Sequence, residues 1–113
     1  MPSKPIKLFP QEAKLLSDLG ERLKLARLRR EMSVNTVAIR SRISRTTLYR
    51  AENGSPAVAL GVYLRILVVL GLDGDLAQVA VDDRLGRKLQ DIGLTIKKRV
   101  RKPTEKLKNP KGV

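Results

Sequence analysis

Residues 33–54 read SVNTVAIRSRISRTTLYRAENG, and this stretch decides the fold. Ser33 is a residue type that accepts from the free N–H groups opening a helix, which predicts a short helix from Val34 to about Ser41. Ser44 repeats the signal and predicts a second helix from Arg45 to about Glu52. Asn53-Gly54 ends that helix, because Gly tolerates the left-handed conformation that follows a helix C-terminus. Val37, Ile43, Leu48 and Ala51 are spaced to share an inside face, and Ala38 is small where the two helices must cross closely. The second helix is then left with Ser44, Arg45, Thr46, Tyr49 and Arg50 outside, flanked by Thr47 and Asn53.

Working outward, residues 1–10 carry three prolines and read as an arm. Gln11–Arg30 has no Pro and is rich in Leu, Arg, Lys and Glu, which predicts a first helix. A fourth helix is expected from about Val58 to Leu70, stopping near Gly71, and a short fifth from Asp73 to Val81. Asp82–Gln90 either continues the fifth or forms a sixth, and Asp82-Asp83 at its start suits the helix dipole better than it suits catalysis. There is no β-type alternation and no internal repeat. The expected organisation is an all-α bundle of about five helices: arm 1–10, domain 11–81, and a C-terminal helix with a disordered basic tail over 82–113.

The chain of 113 residues has 24 Lys+Arg against 11 Asp+Glu, a formal net charge of +13. A charge this large on one small domain points to a polyanion, nucleic acid before an acidic membrane or protein. The excess is uneven: four basic and one acidic residue fall in 32–54, one and two in 55–81, and eleven and four in 82–113. There is no Cys and no His, which excludes disulfides, thiolate nucleophiles, imidazole bases and ordinary zinc sites. No nucleophile with a base, metal cluster or Gly-rich phosphate loop is found, so neither an enzyme nor a cofactor is expected. The longest apolar run, Ile66–Leu72, is far short of a membrane span and contains Gly71. Residues 1–8 lack a signal-peptide core, and the expected location is the cytoplasm, on the nucleoid. Phe9, Tyr49 and Tyr63 are the only aromatic residues, too few for the stacking platforms of single-strand readers, which leaves double-stranded DNA as the target.

The pattern of two short helices with a tight connection is that of a helix-turn-helix, and residues 19–72 resemble the phage Cro/repressor (Xre-type) family. The resemblance rests on Leu23–Arg27, on Thr46–Gly54 ending in Glu-Asn-Gly, and on Leu70-Gly71-Leu72. It implies a lambda-repressor-like bundle and sequence-specific repression of transcription. DNA contacts are then expected from Ser33, Asn35, Ser44, Arg45, Thr46, Thr47, Tyr49, Arg50 and Asn53, with Arg45 and Arg50 foremost and Arg40 and Arg42 at phosphate or solvent. It also implies an ion pair between Arg27 and Glu52 that ties the first helix to the recognition helix. Two positions depart from the family. Arg42 stands where the turn usually has Gly, which implies strain or a different turn. Val34 stands where Gln is frequent, and Asn35 is the candidate substitute.

Apolar surface is left over. On a helical wheel Leu16, Leu19, Leu23 and Ala26 share the core face of the first helix, while Leu25 and Leu28 point away. On the fourth helix Leu60, Leu64 and Leu67 are expected to face the core, leaving Val62, Ile66, Val68 and Val69 on the other sides with Arg65 the only charge. A second copy is the expected cover, matching a two-fold protein to a palindromic operator; coverage by the fifth helix and tail is the alternative. Within the family the chain looks most like HipB-type antitoxins, on Leu19–Leu28, Ser44–Leu48, Leu60–Tyr63, Val68–Leu72 and Asp83–Leu89. That resemblance implies autoregulation of a toxin–antitoxin operon, and binding of a HipA-like kinase or its companion at Leu25 and Leu28. A stand-alone or phage-type regulator and a protein-interaction adaptor are the competing readings. The tail, with Lys97, Lys98, Arg99, Arg101, Lys102, Lys106, Lys108 and Lys111, suits phosphate contact beside the operator, solubilisation, or an acidic toxin face.

Overall fold

The computed structural model describes residues 6–93. The tail lysines and arginines from Lys97 onward lie outside the described residues. Five α-helices and one 3₁₀ segment follow in chain order, with no strand among the described residues: α1 Pro10–Arg29, α2 Val34–Ser41, α3 Arg45–Glu52, α4 Leu60–Leu70, the 3₁₀ segment Asp73–Gln78, and α5 Arg84–Asp91. The chain divides into two compact units, the first ending at Val79 and the second starting at Ala80.

The helix starts follow local chemistry. Glu12 reaches back to accept from the Phe9 N–H at 3.0 Å, and Pro10 occupies the first turn of α1, where its missing N–H costs nothing. Ser33 and Ser44 cap α2 and α3 identically. Each hydroxyl accepts from the backbone N–H three residues on, at 3.0 Å, and donates to a threonine hydroxyl at 2.9 Å, Thr36 in one case and Thr47 in the other. Between them Arg42 takes φ 60° and ψ 44°, so the turn is a left-handed one carrying a non-glycine residue, with the strain that implies.

α4 starts at Leu60, two residues later than expected, because Ser55–Ala59 forms a turn in which the Ser55 hydroxyl accepts from the Ala57 N–H at 3.1 Å. The expected fifth helix is a 3₁₀ segment ending at Gln78, and Ala80 has φ 62°. The following segment is a helix of its own, α5, with the Asp83 carboxylate accepting from the Gly86 N–H at 2.9 Å as its cap.

In the first unit the core is Leu23 and Ala26 of α1, Val37 and Ala38 of α2, Leu48 and Ala51 of α3, and Tyr63, Ile66, Leu67 and Leu70 of α4. Leu16 and Leu19 flank it, half-buried. The core face of α4 thus differs from the expected one. Leu60 is 69% exposed and Leu64 also looks outward, whereas Ile66 is 1% exposed and central to the core. A helix apolar on all sides gives the wheel no polar arc from which to fix its rotation. On the inward 63/66/67/70 stripe the buried Tyr63 phenol donates to the Ser55 carbonyl at 2.8 Å, a bond that this rotation permits.

Candidate nucleic-acid interface

The buried side of α3 is Leu48, Ala51 and Glu52; its other side is open. Arg45, Thr46, Tyr49 and Arg50 are all exposed there, with Tyr49 at 54%. These four share one side of a short helix, a guanidinium at each end and a hydroxyl and a phenol between. They can offer forked N–H donors to guanine, a hydroxyl to either edge, and ring surface to a thymine methyl. Ser44 and Asn53 bracket the helix and are exposed, as are Ser33 and Asn35 at the start of α2. Thr47 differs: it is half-buried, and its hydroxyl accepts the Ser44 O–H in the cap. Ser44 and Thr47 therefore spend their hydroxyls on holding the helix end, and the side chains free to reach a base are Arg45, Thr46, Tyr49 and Arg50.

Arg27 sets the pose of α3. Its Nε donates to Glu52 Oε2 at 2.7 Å and its Nη2 to Glu52 Oε1 at 3.2 Å, while Nη1 donates to the Met32 carbonyl at 3.1 Å. Both side chains are buried, at 7% and 8% exposure, so this is a fork-on-fork pair with little competing water. The hydrogen bonds to Glu52 raise the guanidinium pKa further above its already high value, against the opposing effect of burial. One cation thus joins α1, the α1–α2 turn and the C-terminal end of α3.

Gly20 makes the same junction from the other side and was not identified from the sequence. A Cβ there would lie 2.4 Å from the Glu52 carbonyl oxygen. Gly54 likewise has φ 73° and would place a Cβ 2.3 Å from the Leu16 carbonyl oxygen. The available signal was Gly20 itself, since a glycine inside a helix costs about 1 kcal/mol and calls for a packing reason.

Of the residues expected at a protein interface, Arg65, Val68, Leu25 and Leu28 are exposed, and Val62 and Val69 are half-buried. Ile66 is withdrawn from that group by its place in the core. Arg65 Nη1 donates to the Ser41 carbonyl at 3.3 Å, reaching from α4 to the end of α2.

Two short helices joined by a tight turn, the second with its cationic side outward, define a helix-turn-helix domain. Residues 18–80, more than half of the chain, match the family model described as Helix-turn-helix domain, and the chain belongs to that family. It is a DNA-binding domain of transcription regulation of the Xre/Cro type, a family not associated with catalysis. No curated protein sequence matches the chain. Among the described residues no group of three or more His, Cys, Asp or Glu is placed to hold a metal, and no helix is long and apolar enough to cross a membrane.

Proposed function

We propose that the protein is a dimeric repressor that binds a palindromic operator in double-stranded DNA, including the promoter of its own operon. The observation that carries this reading is the exposure of Arg45, Thr46, Tyr49 and Arg50 on a helix whose other side is locked into the core. α3 enters the major groove. Arg45 and Arg50 supply the strongest contacts, Thr46 and Tyr49 read beside them, and Ser33, Asn35, Ser44, Thr47 and Asn53 line the phosphate path around the two helix starts. Val62, Arg65, Val68 and Val69 form the face toward the second copy. A footprint on the DNA upstream of the gene tests this: two protected half-sites about one helical turn apart are expected. Binding that is equal on random DNA and erased by moderate salt would instead mark an adaptor that uses the fold without reading sequence.

The family match extends to a helix-turn-helix regulator and no further, which favours a stand-alone or phage-type regulator over an antitoxin. The antitoxin reading is supported by the likeness to HipB-type chains and by the exposure of Leu25 and Leu28 on α1, which would meet a HipA-like kinase or its companion. A gene for such a kinase beside this one, and loss of co-purification in Leu25→Lys with operator binding intact, are its tests.

A further inference from the structure

Beside the α2–α3 turn lies a cleft of about 300 Å³ lined by Arg40, Ser41, Arg42, Leu64, Arg65, Val68 and Val69. Its size is at the lower end of the range for small-molecule sites. Leu64, Val68 and Val69 supply an apolar wall, and the charged residues of the lining are all arginines, Arg40, Arg42 and Arg65, with no carboxylate among them. None of the three arginines has an ion-pair partner among the described residues. Ser41, which shares the lining, is 1% exposed and its hydroxyl has no hydrogen-bond partner. That hydroxyl is enclosed by the protein, so the charge that can meet a ligand in the cleft is that of the arginines.

We infer that this cleft binds a small amphipathic carboxylate, with its apolar body on Leu64, Val68 and Val69 and its anionic end on the arginines. A bare inorganic anion leaves the apolar wall unused, and a neutral or cationic amphiphile leaves the guanidinium groups unpaired. Arg65 links the site to the DNA-binding helices, a step that rests on the repressor reading above. Its bond to the Ser41 carbonyl satisfies one of the last carbonyls of α2, next to the left-handed Arg42. A carboxylate forms a stronger, charge-assisted bond than a carbonyl, so the ligand draws Arg65 off the turn and loosens the seat of α3. The same side chains belong to the face assigned to the second copy, so occupancy and self-association compete. The carboxylate therefore acts as an inducer.

The test is titration of the full chain, without DNA, with octanoate, octylammonium and inorganic phosphate, followed by heteronuclear NMR. Octanoate is expected to shift the Leu64, Val68 and Val69 methyls in a saturable way, and to bind at least about tenfold more tightly than the other two. Arg65→Ala weakens octanoate by about tenfold, the equivalent of one charge-assisted hydrogen bond. Val68→Gln, at an exposed position that leaves the core untouched, weakens it through the apolar wall; both variants are compared with wild type at protein concentrations where all three are monomeric, so that loss of the second copy cannot free the cleft. Equal binding of phosphate or of octylammonium, or unchanged octanoate affinity in folded Arg65→Ala, overturns the site. Methyl shifts that depend on protein concentration and ignore octanoate assign the cleft to a second copy and also overturn it. Saturating octanoate is expected to lower operator affinity about fivefold. An unchanged operator affinity overturns the coupling while leaving the site, and a chain that never binds its operator fails the repressor reading independently of the NMR result.

Discussion

Arg27 is held by three hydrogen bonds to two partners, and removing it leaves Glu52 charged, buried and alone. Arg27→Ala is expected to cost about 3–5 kcal/mol in urea unfolding, the range for breaking a buried pair from one side. Replacing both partners by apolar residues of similar size is expected to recover most of that loss, with about 1 kcal/mol retained for the orphaned Met32 carbonyl. A double variant as unstable as the single one would show that the two side chains do not act as a pair. Tyr63 gives a second prediction. Burial raises its phenol pKa above the ordinary value of 10.0, so the folded state holds this proton more tightly than the unfolded state. The contribution is intact below pH 10 and is lost as pH rises through the folded value. Stability measured across that range should decline at alkaline pH, and Tyr63→Phe should remove that part of the decline.

The elements differ in how far they were legible. The starts of α2 and α3 could be read from Ser33 and Ser44, because an N-cap is a local bond between residues three apart. The outward side of α3 was legible for the same reason: its aliphatic residues fall at Leu48 and Ala51 and nowhere else. The rotation of α4 was not, since a helix with apolar residues all round contains no internal reference; it is set by tertiary contacts, among them the bonds from Tyr63 to Ser55 and from Arg65 to Ser41, and Ile66 lies inside. The Arg27–Glu52 pair joins residues 25 apart and came from family likeness rather than from spacing. At the α2–α3 turn the departure from Gly was legible and its consequence is visible, with Arg42 at φ 60°. Arg42→Gly should therefore be more stable than Arg42→Ala by about 1 kcal/mol in thermal or urea unfolding. Equal stability of the two would mean that the turn carries no strain.

At the largest scale, the core of the first unit supports two outward faces. The α3 side is cationic and suits a duplex; the α4 side keeps Val68 at 54% exposure and Val69 half-buried. An apolar face of this kind on so small a domain is expected to be covered in use. On the dimer proposal, Val69→Lys adds an uncompensated positive charge beside Arg40, Arg42 and Arg65 in that face, and sedimentation or light scattering should show monomer in place of dimer. An unchanged mass would remove Val69 from the interface. Operator affinity should fall in parallel, because two half-sites are gripped together only by a dimer.

The central claim is that α3 lies in the major groove with Arg45 on a base. The most direct measurement compares wild type and Arg45→Ala on the operator and on random DNA of equal length, at one salt concentration. The operator should lose about 1–3 kcal/mol of binding free energy and random DNA much less, so that sequence preference relaxes together with affinity. Equal losses on both DNAs would contradict the claim and reduce Arg45 to a phosphate contact.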